Sequence, residues 1–156
     1  MRTAGQSDRE ALHRLYAGFF AELETPKYFG VTLESELAEV DKMLGDGLSF
    51  LAEQGGQIVG FALARRLGGT RGHLSDIYVL PAWRRRGHAT RLARAVADAL
   101  RERGATHITL SVHVDNEQAR ATYEGWGFRE RTVTLEVPTE QLREGIKVAH
   151  DRLPEP

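Results

Sequence analysis

Apolar residues near the start of the chain fall at Leu12, Leu15, Tyr16, Phe19, Phe20 and Leu23, the spacing of a single helical face. Ser7-Asp8-Arg9-Glu10 precedes them with capping-box spacing, so an amphipathic helix is predicted from there. Residues 25–32 carry Pro26 and Gly30 and read as a loop. Thr32 can then cap a shorter helix, with Leu33, Leu37, Val40 and Leu44 inward, that stops at Gly45 or Gly47. Beyond it the period shortens. Residues 48–53 and 57–65 are strand-like runs around the tight-turn tripeptide Gln54-Gly55-Gly56, and a third run over 73–80 is stopped by Pro81. Together they predict an antiparallel meander. From Gly87 the helical period returns: Ala89, Leu92, Ala93, Val96, Ala97 and Leu100 share one face, Arg91, Arg94, Arg101 and Glu102 the other, and Gly104 ends the helix. Residues 106–113 alternate as a strand, Asp115-Asn116 can cap a short helix to Gly125, and 128–137 read as a further strand. Residues 139–150 allow a last helix on Leu142, Ile146 and Ala149. Strands and helices in this order predict an α/β fold, a mixed and mostly antiparallel sheet flanked by helices.

Composition narrows the classes. With 156 residues, 41% of them hydrophobic, the chain has material for one sizeable core, so a single domain over 1–156 is expected, with its core to about 137 and a tail from 138 to 156. The absence of cysteine excludes disulfides, thiolate nucleophiles and Cys-type zinc sites, and the histidines show no ligand spacing that would suggest a metal. No apolar run approaches membrane-spanning length, and the first residues lack a signal-peptide pattern, so a cytoplasmic protein without membrane partners is expected.

Charge changes the picture more. The net charge is −1, but residues 1–60 carry −5, residues 61–120 carry +6 and the remainder −2. A basic island in a neutral chain argues against a nucleic-acid partner and for a local anion site beside an acidic region. The island centres on Trp83-Arg84-Arg85-Arg86-Gly87-His88-Ala89, a turn between a strand and the strongest helix. Backbone N–H groups in such a turn, aided by the helix dipole, make a concave phosphate site. It is neither a Walker loop nor the dinucleotide fingerprint.

A second segment completes a resemblance. Arg84-x-x-Gly87-x-Ala89 resembles the pyrophosphate-binding Arg/Gln-x-x-Gly-x-Gly/Ala loop of the GCN5-related N-acetyltransferase (GNAT) superfamily, and Asn116, Ala119, Tyr123 and Gly127-Phe128 resemble that family's later Asn-x-x-Ala-x-x-x-Tyr and Gly-Phe motif. The resemblance runs from the first helix to Phe128. It implies a GNAT fold and acetyl-CoA as the donor, with amides of Arg85, Arg86, Gly87, His88, Ala89 and Thr90 on the pyrophosphate and the arginines, Arg84 included, adding charge. Backbone groups of Ile77, Tyr78 and Val79 would pair with the pantetheine arm, the Val79 N–H would polarise the thioester carbonyl, Asn116 would contact the cofactor, and Tyr123 would protonate the departing thiolate.

The proton acceptor is less defined. Some family members place a Glu on the fourth strand where this chain has Ser75, and period 2 sends Asp76 to the opposite face unless a bulge re-aims it. A water chain to His113, His73 or an acidic residue of the N-terminal helices ranks ahead of Asp76. The resemblance thus implies an N-acetyltransferase acting on a primary amine of a small molecule or peptide by direct attack. The acidic set Glu22, Glu24, Glu34, Glu36, Glu39 and Asp41 would suit a cationic acceptor. A non-catalytic acyl-CoA-binding module on the same fold is the alternative. An uncovered sheet edge near the C-terminus predicts a homodimer.

Overall fold

The structure is a computed structural model that describes residues 1–23, 30–132, 134–135 and 137–150, with side chains through residue 144. Most of the loop predicted at 25–32 lies outside the described residues, as do the side chains of Ile146 and Ala149. The chain forms two compact units, Met1–Ser111 and Val112–Pro156.

The first unit holds a five-stranded sheet in the order β1-β2-β3-β4-β5. Its strands are β1 (Arg2–Thr3), β2 (Phe50–Gln54), β3 (Gln57–Arg66), β4 (Arg71–Val79) and β5 (His107–Thr109). β1 to β4 are antiparallel neighbours, and β5 runs parallel to β4. Helices α1 (Arg9–Glu22) and α2 (Leu33–Met43) cover one face. There Leu12, Tyr16 and Val40 pack with Leu51, Phe61, Leu63 and Tyr78. Helix α3 (His88–Glu102) joins β4 to β5 and covers the other face, where Leu92, Val96 and Leu100 meet Ala62, Ala64 and Leu74.

Local chemistry accounts for the boundaries. Thr32 Oγ1 accepts the Ser35 N–H at 3.1 Å and starts α2 as predicted. At α1 the helix begins at Arg9, because Asp8 spends its carboxylate on the Arg2 guanidinium and the Gly5 N–H, behind a short 3-10 turn over Gln6–Asp8. α3 ends where Gly104 takes φ 82°, a left-handed residue that closes the last turn. Gly72 answers a packing need: a Cβ there would stand 2.5 Å from Leu100 Cδ1, so β4 and α3 approach only because the side chain is missing.

The second unit contains α4 (Glu117–Gly125) and α5 (Thr139–His150), the latter with the predicted bounds. The strand expected over 128–137 is absent from the described residues there. A strand needs a ladder partner, and the described residues of this unit include no second strand; Leu135 of that run is 89% exposed. The strand expected over 106–113 shrinks to three residues of β5 for a related reason, since its ladder to β4 closes at His73–Thr109.

Candidate active site

The short β5 ladder leaves β4 half-paired. Beyond His73 the strand keeps β3 on one side, while the other side has no ladder partner within residues 1–111. Backbone direction then follows from parity. The Leu80 N–H donates to the Val59 carbonyl at 2.9 Å, so Leu80 and Tyr78 address β3, and Ile77 and Val79 address the open edge. Of the three residues expected to pair with an extended ligand arm, Ile77 and Val79 therefore face the open edge, and Tyr78 spends its backbone groups on β3.

Immediately after β4, Pro81–Trp83 makes one 3-10 turn and the basic turn follows. Arg85 has φ 63° and Gly87 φ 78°, two left-handed residues flanking Arg86. A left-handed backbone at a non-glycine residue costs about 1–2 kcal/mol and curls successive N–H groups toward one point. Gly87 is the N-cap of α3 without a side-chain cap, so the first amides of the helix are left for a ligand. A Cβ on Gly87 would meet nothing nearer than Arg91 Nη1 at 3.4 Å, which leaves the turn open toward solvent. The turn and the open edge therefore fit a pyrophosphate with an extended arm.

The arginines divide. Arg86 lies over Trp83, 4.9 Å from the ring centroid. Arg85 is exposed on the turn. Arg84 faces the other way: its Nε donates to the Val79 carbonyl at 2.9 Å, its Nη2 to Glu22 Oε2 at 2.5 Å, and its amide to Pro81. Its side chain, expected to add charge at the turn, is bonded to the Val79 carbonyl and to Glu22. His88 contributes backbone only, because its ring is buried beside Trp83 and takes a bond from Arg91 at 2.9 Å. Burial, then Arg91 and Arg86, hold that imidazole below its usual pKa.

On the α1/α2 side of the sheet stands a polar set. β3 and β4 slip register between Leu63↔Asp76 and Ala64↔Leu74, which makes Ser75 the extra residue of a β-bulge. The bulge sends Leu74 into the α3-side core and leaves Asp76 on the face of Tyr78, toward Tyr16 and Glu36. Tyr16 donates to Glu36 Oε2 at 2.9 Å, and the Ser75 hydroxyl is buried without a hydrogen-bond partner. Burial first, and the Glu36 carboxylate second, push the Asp76 carboxyl up to about 6 against the pull of Arg65 and Tyr16. Glu22 closes the set. It accepts the Tyr78 hydroxyl at 2.5 Å, and although burial raises its pKa, Arg84 and Tyr78 outweigh that and hold it below the usual carboxylate range.

His73 is committed elsewhere, its Nδ1 3.0 Å from Thr109 Oγ1 in the β4–β5 ladder. In the second unit Asn116 caps α4, its Oδ1 accepting the Ala119 N–H at 3.1 Å. Tyr123 is half-buried on that helix, its ring 5.8 Å from Trp126 and 6.0 Å from Phe128. Its backbone carbonyl accepts the Phe128 N–H at 3.0 Å, which explains why the Gly-Phe pair follows the tyrosine at this spacing. The sequence pattern places Glu22 only in a general acidic set. The available signal was its position seven residues after Leu15 and three after Phe19, a carboxylate on the buried stripe of α1. Among the described residues no group of three or more His, Cys, Asp or Glu could hold a metal, and no helix is long and apolar enough to cross a membrane.

A half-paired fourth strand running into an anion-binding turn on an α/β sheet defines an acyl-CoA-binding type of fold, and sequence comparison gives the family. The chain belongs to the Acetyltransferase (GNAT) family, which it matches over residues 9–128. It is 40% identical over 58 residues to N-alpha-acetyltransferase 30 of Schizosaccharomyces pombe, a match spanning 37% of this chain and 39% of that protein. Among solved structures it resembles the aminoglycoside N-acetyltransferase AAC(6')-Iy in complex with CoA, with TM-score 0.70, 22% identity, and 88% of this chain and 92% of that one covered. It also resembles a ribosomal-protein-alanine N-acetyltransferase from Brucella melitensis biovar Abortus 2308, with TM-score 0.67, 21% identity, and 86% and 94% covered. At these identities the structures bear on the fold, and the fold agrees with the GNAT arrangement expected from the two motifs.

Proposed function

We propose that the protein transfers an acetyl group from acetyl-CoA to a primary amine. The observation that carries this reading is the left-handed turn at Arg85 and Gly87, opening α3 directly after the half-paired end of β4. Acetyl-CoA supplies an activated acyl carbon when bound, and the chain's own groups do the rest. Amides from Arg85 to Thr90 hold the pyrophosphate, with Arg85 and Arg86 nearby as charge. Ile77 and Val79 seat the arm along β4, and the Val79 N–H points to the open edge as donor to the acyl oxygen. Tyr123 donates a proton to the leaving thiolate, a task suited to a phenol with an ordinary pKa of about 10. Asn116, with its carbonyl oxygen used in the cap, offers its amide N–H groups to the cofactor.

The acceptor is a cationic amine, such as an aminoglycoside, a polyamine or a basic peptide. Support comes from Asp76, Glu36 and Glu22, carboxylates gathered on the α1/α2 side of β4. An ammonium group with a pKa of roughly 10 must lose a proton before it attacks, and Asp76, lifted to about 6, is the acceptor of that proton. The relatives named for aminoglycosides and for protein N-termini bracket the same chemistry. A homodimer joined through the run ending at Val137 or the tail from Pro138 fits the exposed Leu135, Val137 and Leu142. Light scattering on the intact chain and on one truncated at Val137 tests it; a 17.4 kDa species at micromolar concentration refutes it.

Two measurements test the main reading. Amines of the three classes are incubated with acetyl-CoA and weighed by mass spectrometry for an added acetyl group. CoA binding is followed by calorimetry in the intact protein and in Gly87→Glu, whose side chain and charge would meet the phosphates. Binding lost in the variant together with an acetylated amine is the expected result. CoA binding without turnover on any amine would instead indicate an acyl-CoA-binding module, and undiminished binding in Gly87→Glu overturns the site.

A further inference from the structure

We infer that Arg84 and Glu22 are positioning residues for the acyl end of the site, and that Arg84 is not part of its phosphate-binding charge. This rests on the acetyl-transfer reading above. Although Arg84 opens the basic turn, its bonds lead away from it. Nε reaches the Val79 carbonyl at 2.9 Å, Nη2 reaches Glu22 Oε2 at 2.5 Å, and the guanidinium carbon lies 5.5 Å from the Tyr78 ring centroid. Glu22 Oε1 returns to the same strand through the Tyr78 hydroxyl at 2.5 Å. The result is a closed circuit from two successive residues of β4, through the turn, to the last residue of α1.

The circuit matters because of where Val79 lies. Its carbonyl belongs to the same peptide unit as the Leu80 N–H, and that N–H is bonded to the Val59 carbonyl at 2.9 Å. Arg84 therefore takes the place of the missing neighbouring strand for this one carbonyl, and the peptide unit is held from both sides. Without it the end of β4 would be tethered on one side only, and the Val79 N–H just before it would swing with the backbone. A donor serving an acyl oxygen tolerates little movement, since a misplacement of about 1 Å can cost on the order of a hundredfold in rate. Glu22 sets the guanidinium in place and joins α1 to the same unit.

The side chains of Arg84 and Glu22 are 39% and 41% exposed, so the ion pair contributes little to global stability and both can be changed without unfolding the chain. Arg84→Gln and Glu22→Gln are each compared with the intact protein for kcat, for KM of acetyl-CoA, and for the calorimetric Kd of CoA with its salt dependence. Each variant is expected to lower kcat about tenfold or more while leaving the CoA Kd within about twofold and its salt slope unchanged. The double variant should be no slower than the worse single one, as members of one circuit are not additive. Tyr78→Phe, which keeps the ring and removes one bond of the circuit, should give a smaller loss of the same kind. An independent reading needs no turnover: in ligand-free protein, the Leu80 amide should exchange with deuterium about tenfold faster in either Gln variant. That outcome separates this inference from the acetyl-transfer reading, which fails on its own if the intact protein acetylates no amine. Weakened CoA binding with a reduced salt slope in Arg84→Gln, alongside wild-type kcat and Leu80 exchange in Glu22→Gln, overturns the inference and returns Arg84 to the phosphates.

Discussion

At the scale of single residues, the unusual group is a carboxyl that remains protonated into mildly acidic solution. Asp76 is held at about 6 by burial and by Glu36, so it gains the capacity to accept a proton only as the pH rises through that value. The second-order rate constant for an amine should therefore fall below pH 6 in the intact protein, and Asp76→Asn should remove that limb and lower the plateau. A profile unchanged by the substitution would assign the proton elsewhere. The stability consequence has the opposite sense. A carboxyl whose folded pKa is raised stabilises the fold below its unfolded pKa near 4, and that contribution is lost as the pH climbs through 6. Asp76→Asn should accordingly raise the free energy of unfolding at pH 7 by at most about 3 kcal/mol, at 1.4 kcal/mol per pKa unit, seen as a higher Tm. At Tyr123 the expected cost is in chemistry alone. Tyr123→Phe should lower turnover about 10²–10⁴-fold with the acetyl-CoA Kd nearly unchanged, read by single-turnover kinetics and calorimetry. The places of Gly87, in a left-handed turn before α3, and of Tyr123, on α4, were legible from sequence because their motifs fix them. Asp76, Tyr16 and Glu22 were not, since their meaning depends on a bulge and on which face each helix buries.

At the scale of elements, legibility followed how much of each element is decided locally. α3 and α5 carry their own period, and α2 its own capping box, so their limits appeared in the residues themselves. β5 and the run over 128–137 needed partners, and alternation cannot say whether a neighbouring strand exists. β1 is two residues long, too short to show any pattern. The bulge at Ser75 is the most consequential feature that alternation could raise but not place, because it alone lets Leu74 join the α3-side core while Asp76 faces the other helices. The contact between β4 and α3 yields a test of this packing. Gly72→Ala would place a Cβ 2.5 Å from Leu100 Cδ1, and the overlap should destabilise the protein by about 1–3 kcal/mol in urea titration. Adding Leu100→Ala should make the second change cost less than it does alone, a coupling that vanishes if the two elements do not meet there.

At the scale of the whole molecule, the N-terminus is tied to the sheet and to α1 by charge as well as packing. Arg2 reaches Asp8 at 2.7 Å and Glu53 at 2.8 Å, while Asp41 of α2 takes Arg9 and His13 of α1. Hydrogen bonds from Arg2 hold Asp8 at about 2, and Arg9 does the same for Asp41. Depressed carboxyls stabilise the fold above pH 4 and lose that contribution as the pH falls toward 2. Thermal scans should therefore show Tm dropping over that interval, and Asp8→Asn should flatten part of the drop while costing about 1 kcal/mol at neutrality. The three-residue Pro81–Trp83 turn, which links the end of β4 to the anion site, has a different consequence. In the proposed acetyl transfer it sets a short, stiff interval between the turn that would grip the phosphates and the N–H that would meet an acyl oxygen. A donor molecule with an arm of constant length is thus measured against two marks on one scaffold, like a rod against a gauge. Acyl groups of different size would all present their carbonyl at the same mark, and discrimination among them falls to whatever lies past it, at the end of α1. Exchanging acetyl-CoA for longer acyl donors should leave the Kd almost constant and change only kcat.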